Sequence, residues 1–285
     1  MNLKHFLLTL GVTALTLSPL CADPPATRKW THERLHGVLW IQTSPEHDFM
    51  CRQLYDLAKM RVEEALKDKK WTASLEQTGN YSKLPPAVIM DLDETVIDNS
   101  PFQGRLVDRD ADYVDDWWQE WVQQGEAEAL PGAPEFIHFL LKKGVKPIFV
   151  TNRDANGEKP TLENLRRVFN YPELTGEDIL SQGEAVDWTS NKTSRRELLA
   201  KKYRIVLLMG DDYNDFTYLG KKPGPQERVE KSKEHAEMWG KKWILMPNPL
   251  YGNWEKALYQ YNYGSSDAEK LNQKYKAMDL KEEKK

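Results

Sequence analysis

A chain of 285 residues is long enough for one large domain, or for a core with an inserted cap, and for a sizeable buried interior. Its 40% hydrophobic and 29% charged residues describe an ordinary globular protein, and a net charge of -4 gives no electrostatic case for nucleic acid as a partner. Ten tryptophans and twelve tyrosines are many for this length, so some are expected to face a ligand instead of the core.

Residues 1–22 read as a secretory signal peptide, in which Lys4 precedes an apolar stretch over 6–17 that is too short to span a bilayer. Cleavage after Ala22 would make the protein exported, periplasmic or secreted. The alternative is lipidation of Cys21, the one route to a membrane, as an outer-membrane lipoprotein; Leu20 is larger than such sites want. Either outcome leaves Cys51 as the free thiol of the mature chain, so the fold must rest on its core and not on a disulfide.

His32-Glu33-Arg34-Leu35-His36 matches the H-E-x-x-H pattern that binds zinc when both imidazoles share a helix face, but no third ligand is evident. The expectation is the polar face of an N-terminal helix. From 45 to 70, Phe49, Leu54, Leu57, Met60, Ala65 and Leu66 recur at helical spacing behind Ser44 as N-cap, with Cys51 as a small core hydrophobe.

After a loop over 79–86 comes Ala87-Val88-Ile89-Met90-Asp91-Leu92-Asp93-Glu94-Thr95, an apolar run that stops at two carboxylates. It reads as a strand buried on both faces, as in a parallel sheet, where ligands bind beyond the strands' carboxyl ends. Alternation sends Asp91 and Asp93 the same way with Leu92 anchored behind, so one can attack while the other handles a proton. A calcium loop is excluded: Val96 and Phe102 stand where it needs glycine and its last oxygen ligand.

Asp98-Asn99-Ser100-Pro101 reads as a turn, followed by an acidic, aromatic stretch in which Trp117, Trp118 and Trp121 fall at helical spacing. That spacing assigns Trp121 to the core and leaves Trp118 open. A helix begins near Pro134 and ends at Lys142, Lys143 and Gly144. A strand over 145–150 ends in Thr151-Asn152-Arg153, Thr161 caps a helix up to 170, and 179–180 is a short strand. Lys192 opens a helix to about residue 202, an odd place for a cation unless an anion sits there. The strand over 205–209 ends in Gly210-Asp211-Asp212-Tyr213-Asn214-Asp215-Phe216, and that over 243–246 in Pro247-Asn248-Pro249. Residues 265–285 form a polar tail, read as a solvated helix or disorder. Strands alternating with helices predict an open parallel α/β sheet.

Several strand ends thus carry Asp91 and Asp93, Thr151, and Asp211 and Asp215, with Lys192 between. Together they meet the needs of phosphoryl transfer from a monoester. Crowded carboxylates call for a divalent cation, and oxygen ligands suit Mg²⁺. Lys192 and Thr151 would supply the cation and the donor that phosphoryl oxygens require.

With these motifs the chain resembles the haloacid dehalogenase (HAD) superfamily, and more closely its bacterial class C acid phosphatases, which include 5'-nucleotidases. Leu39-Trp40-Ile41-Gln42-Thr43-Ser44-Pro45-Glu46 is similar to that family's N-terminal signature. Asp91-Leu92-Asp93-Glu94-Thr95 with Asp98-Asn99-Ser100-Pro101 matches its first motif, Gly210 to Phe216 its last, and Pro247-Asn248-Pro249-Leu250-Tyr251-Gly252 its C-terminal loop. The resemblance implies a HAD-like sheet flanked by helices. It puts an acid phosphatase domain at 23–264, with its core at 84–102 and 131–264 and a small helical cap from 30–80 and 103–130. It implies Asp91 as the nucleophile that forms an aspartyl phosphate and Asp93 as acid and base, with Asp91, the Asp93 carbonyl, Asp211 and Asp215 around Mg²⁺. The substrates implied are small phosphomonoesters, nucleoside monophosphates among them, contacted by Trp118, Tyr251 and Asn152, with the two rings stacking on a base. Phe102 stands where the family usually has Tyr, and Asp212 where it has a neutral residue; Asp212 is expected to extend activity toward neutral pH by adding charge beside the metal cluster. The alternative reading is a secreted or surface protein that captures haem or a nucleotide on the same fold.

Overall fold

In the computed structural model, which describes residues 32–281, the apolar run after Pro85 is the central strand of a five-stranded parallel sheet. The signal peptide, Cys21 and Ala22 lie outside the described residues. In chain order, α1 (Leu35–Thr43) and α2 (Pro45–Lys67) lead to β1 (Pro86–Met90), then β2 (Ile97–Asp98), α3 (Ser100–Asp108), α4 (Asp115–Gln124), β3 (Glu128–Ala129) and α5 (Ala133–Lys142). They are followed by β4 (Lys146–Asp154), α6 (Glu158–Phe169), β5 (Ile179–Gln182), α7 (Thr193–Lys202) and β6 (Arg204–Gly210). Last come α8 (Pro225–Lys233), β7 (Trp243–Leu245), α9 (Asn253–Leu258) and α10 (Asp267–Lys276).

The sheet order is β5-β4-β1-β6-β7, with every neighbouring pair parallel. From β1 the chain steps outward through β4 and β5, then returns to β6 on the other side. The direction of winding therefore reverses at β1, and a crevice opens at its carboxyl end, where open α/β sheets bind ligands. Both faces of β1 are covered, which is why its sequence is a continuous apolar run. Val88 and Met90 pack with Tyr55 and Val62 of α2, Phe136 of α5 and Leu165 of α6. Ala87 and Ile89 pack with Ile148, Leu199 of α7, Phe216 and Trp243. Each large side chain so buried contributes about 1.5–3 kcal/mol.

Several elements differ from their sequence reading. The strand expected to end at Val150 runs on to Asp154, because pairing with β5 resumes at Asp154↔Gln182 after an irregularity. Thr151, Asn152 and Arg153 thus lie within β4. The helix expected to start at Thr161 begins at Glu158, so Thr161 is a buried interior residue. The supposed turn at Asp98-Asn99-Ser100-Pro101 is the end of β2, paired with β3, and the start of α3, where Pro101 sits in a first turn that has no use for its missing N–H.

His32 precedes α1, and its Nε2 lies 3.2 Å from the Ala111 carbonyl oxygen, so the H-E-x-x-H pair does not share a helix face. Cys51 is fully buried, and burial pushes its thiol up to about 12, which makes it the inert core residue expected. The helical segments assigned to a cap divide in two. α2 covers the sheet, while Arg34, Gln103, Asp112, Tyr113 and Trp118, on or beside α1, α3 and α4, line the crevice. In the tail, Ser266 and Glu269 cap α10, and the helix is fastened back onto the protein: Lys270 pairs with Asp112 at 3.2 Å and Lys274 with Glu255 at 2.6 Å.

Candidate active site

The first carboxylate is delivered by continuing the sheet one residue past β1: the Asp91 N–H donates to the Met209 carbonyl at 3.0 Å. The chain then turns sharply. The Leu92 carbonyl accepts from the N–H groups of Thr95, Val96 and Ile97 at 3.2, 2.9 and 3.1 Å, and Glu94 takes the left-handed conformation at φ 56°. Leu92 is buried beneath, as the alternation required, and Asp91 and Asp93 are both presented to the crevice.

β6 ends at Gly210 and hands over Asp211. A 3-10 turn at Tyr213–Asp215 brings Asp215 back over the strand, and the Asp212 N–H donates to Asp215 Oδ2 at 3.0 Å. Only glycine fits at 210, since a Cβ there would lie 2.4 Å from the Cβ of Asp215. Lys192, at the N-cap position of α7, donates to Asp215 Oδ1 at 2.7 Å and to Asp91 Oδ1. The sequence marked it as a cation in need of an anion, and here the anions are these two carboxylates.

One carboxylate oxygen from each of Asp91, Asp211 and Asp215 lies within 4.8 Å of the others, the one such cluster among the described residues. Burial pushes Asp91 up to about 7 against the pull of Lys192, with Asp215 and Asp93 adding to the rise. Burial, Asp215 and Asp91 likewise hold Asp211 well above the ordinary carboxylate range. Burial works against the Lys192 ammonium, but Asp215 and Asp91 keep it above its usual value. Three crowded carboxylates, two of them sharing one lysine and Asp211 paired instead with the neutral Asn248 and Thr95, fit a small divalent cation, and the all-oxygen donor set suits a hard one.

Asp93 stands apart from that cluster, held by groups that had gone unassigned in the sequence. Arg153 Nη2 and Nε donate to Asp93 Oδ1 at 2.7 and 3.0 Å, and Asn99 Nδ2 donates to the same oxygen at 2.9 Å. The sequence signal for Arg153 is its spacing, two residues beyond Thr151 and so on that residue's face once the strand runs on past Val150; its partner is set by the fold. Thr151 is fully buried, and its hydroxyl accepts from the Arg153 N–H at 3.0 Å. Asn152 is exposed in the cleft and accepts from Arg195 Nη2 at 2.8 Å.

The cleft has a volume of about 590 Å³. Trp118 and Tyr251 both line it, Trp118 packed edge-on against Phe102 with ring centroids 5.2 Å apart. Trp121 is buried, as its place in the stripe predicted, and donates from Nε1 to Asn99 Oδ1 at 2.8 Å. Asp212 lines the cleft and has a bracing task besides the one expected. Its carboxylate accepts from the N–H and Nδ2 of Asn253 at 2.7 and 3.0 Å and from the Asn214 N–H at 2.9 Å. It thereby ties the turn that carries Asp215 to the loop that carries Tyr251. Farther out, Tyr259, Tyr263, Lys256 and Lys270 complete the wall.

A family model described as HAD superfamily, subfamily IIIB (acid phosphatase) matches residues 22–254. Among solved structures, the class C acid phosphatase from Bacillus anthracis is similar over 87% of this chain and 98% of its own, at 35% identity and a TM-score of 0.76. The same enzyme with tungstate bound superposes equally well, also with a TM-score of 0.76. Among curated proteins, a stem 31 kDa glycoprotein of Glycine max is 27% identical over 57% of this chain and 58% of its own, and acid phosphatase 1 of Solanum lycopersicum 29% identical over 45% and 50%. The chain spans little more than half the length of the curated relatives it matches.

Proposed function

The chain belongs to the subfamily IIIB acid phosphatases of the HAD superfamily, and from that membership we propose that it is a Mg²⁺-dependent hydrolase of small phosphomonoesters, nucleoside 5'-monophosphates included, acting through an aspartyl phosphate. The observation that carries this reading is the meeting of Asp91, Asp93, Lys192, Asp211 and Asp215 in one cleft at the strands' carboxyl ends. A capture protein would have no use for two carboxylates with separate partners, one beside a cation site and one outside it.

The division of labour follows from those partners. Asp91 offers a carboxylate oxygen for attack on phosphorus, held in place by Lys192. Asp93 gives a proton to the departing alcohol and later takes one from water, so that one hard displacement becomes two easier ones. Asp91, Asp211, Asp215 and the Asp93 carbonyl would hold Mg²⁺, which when bound offsets the carboxylates' charge and that of the phosphoryl oxygens. The Lys192 ammonium and the Thr151 hydroxyl are the protein's own donors to those oxygens. Tungstate on the Bacillus anthracis enzyme is an oxyanion of similar shape to phosphate, which supports an oxyanion position here.

For nucleotides, Trp118 and Tyr251 offer ring faces on which any base can stack. The signal read at 1–22 supports export, to the periplasm or the medium or, with Cys21 lipidated, to the outer membrane; no helix among the described residues is long and apolar enough to cross a membrane. The test is release of phosphate from 4-nitrophenyl phosphate and adenosine 5'-monophosphate. Hydrolysis should require Mg²⁺, stop on chelation, and vanish in Asp91→Asn while nucleotide binding persists. Substantial turnover by purified Asp91→Asn would sink the assignment.

A further inference from the structure

Two carboxylates stand two residues apart in this cleft, and each has its own cation. Lys192 serves Asp91; Arg153, a buried residue of β4, serves Asp93. We propose that Arg153 is the positioning residue for proton transfer to the leaving group, fixing the Asp93 carboxylate so that Oδ2 is the oxygen that carries the proton. The inference rests on the acid and base role given to Asp93 above.

The donor count at Asp93 makes the distinction between its oxygens. Oδ1 receives Arg153 Nη2 at 2.7 Å and Asn99 Nδ2 at 2.9 Å, which fill its two lone pairs, and it also takes the nearer share, at 3.0 Å, of the one N–H that Arg153 Nε divides between the two oxygens. Oδ2 receives only a longer contact from Arg153 Nε at 3.2 Å. A proton therefore has room on Oδ2 and none on Oδ1.

Arg153 is in turn held from several sides. Its Nη1 donates to Thr161 Oγ1 of α6 at 3.1 Å and its Nη2 to Asn99 Oδ1 at 3.3 Å. Its guanidinium carbon lies 5.4 Å from the centre of the Trp118 ring. Asn99 is itself oriented by Trp121 of α4 and donates its N–H to Glu94 Oε1 at 2.9 Å. Four parts of the fold, α4, α6, β4 and the turn after β1, thus converge on the plane of one carboxylate. A guanidinium does this because it is planar, always charged and pre-organised; a lysine ammonium is a point charge on a flexible stem.

In the first half-reaction an Asp91 oxygen bonds to phosphorus, the ester P–O bond breaks with its electron pair passing to the leaving oxygen, and that oxygen takes the proton from Asp93 Oδ2. In the second, a water oxygen bonds to phosphorus, its proton returns to Oδ2, and the bond between phosphorus and Asp91 breaks to release phosphate. Only the first half depends on how badly the leaving group needs a proton. An alkyl alkoxide needs it, while 4-nitrophenolate leaves without it.

The experiment compares kcat/KM, which reports the steps through leaving-group departure, for glycerol 2-phosphate and 4-nitrophenyl phosphate in Arg153→Ala and Arg153→Lys. Arg153→Ala should lose on the order of 100-fold or more on glycerol 2-phosphate, the lower end of what a positioned acid contributes. The loss on 4-nitrophenyl phosphate should be at least about tenfold smaller. Arg153→Lys should show the same selectivity in weaker form, and it carries the test if Arg153→Ala does not fold. Asp93→Asn is measured alongside. Selective loss in Asp93→Asn with equal loss, or none, in the Arg153 variants overturns the inference alone; no selectivity in Asp93→Asn overturns the acid role and the inference with it.

Discussion

Trp118 and Tyr251 are the residues whose roles the geometry sharpens most. Trp118 sits in a helical stripe with Trp121, yet the two differ: Trp121 is buried and hydrogen-bonded to Asn99, whereas Trp118 is part-exposed in the cleft between Phe102 and Arg153. Tyr251 reaches the same cleft from the loop that Asp212 braces. Replacing either ring with Ala should weaken a nucleoside 5'-monophosphate by about 1–3 kcal/mol in kcat/KM, the usual worth of one stacked base. A small alkyl phosphate has nothing to stack and should lose less. Equal losses on both substrates would assign the rings to packing.

The strand ends of β1 and β6 and the turn at Tyr213–Asp215 form one electrostatic unit, and its response to pH follows from the raised carboxylates. Asp91 rises from 3.8 to about 7 in the folded, cation-free protein, so it binds a proton there that the unfolded chain has already lost. Stability from this group is full below pH 3.8 and falls as pH rises toward about 7; Asp211, raised by burial and its neighbours, acts with the same sign. A divalent cation favours the charged forms and cancels the loss. Thermal unfolding should therefore show Mg²⁺ raising Tm at pH 7 and much less at pH 4. A cation-free protein whose Tm climbs between those values, with no added effect of Mg²⁺ at pH 7, would contradict this account of the cluster.

At the scale of the whole molecule, the cleft is closed by chain that lies beyond the family model. That model ends at residue 254, yet Glu255, Lys256, Tyr259, Tyr263 and Lys270 all line the cleft. α10 holds this wall in place by pairing Lys270 with Asp112 and Lys274 with buried Glu255 and with Glu33. Deleting 265–285 removes both lysines, leaving Glu255 without its cation and Asp112 with Arg34 alone. The expected cost is about 1–3 kcal/mol in stability, as for lost hydrogen bonds to charged groups. KM should rise for a nucleotide and change little for 4-nitrophenyl phosphate, which is too small to reach the outer wall. Unchanged KM for both, with unchanged Tm, would reduce α10 to a passive tail.

What the sequence by itself determined is whatever is written locally. The run into Asp91 announces a strand covered on both faces because its apolar residues are contiguous. The carboxylates at 91, 93, 211 and 215 are legible because strand ends in such sheets face the ligand. Lys192 betrayed itself as a cation at a helix start. Tertiary structure decided what depends on partners distant in the chain. His32 and His36 lose their zinc reading because α1 starts only at Leu35, which leaves His32 before the helix with its ring against the Ala111 carbonyl. Arg153 becomes the holder of Asp93 because β4 lies beside β1 in the sheet, which brings residues 60 positions apart within 2.7 Å. α10 closes the cleft only because charges at 33, 112 and 255 are gathered where its lysines arrive. Periodicity and strand-end chemistry are properties of neighbouring residues, whereas the pairing of a charge with its counter-charge is a property of the folded surface.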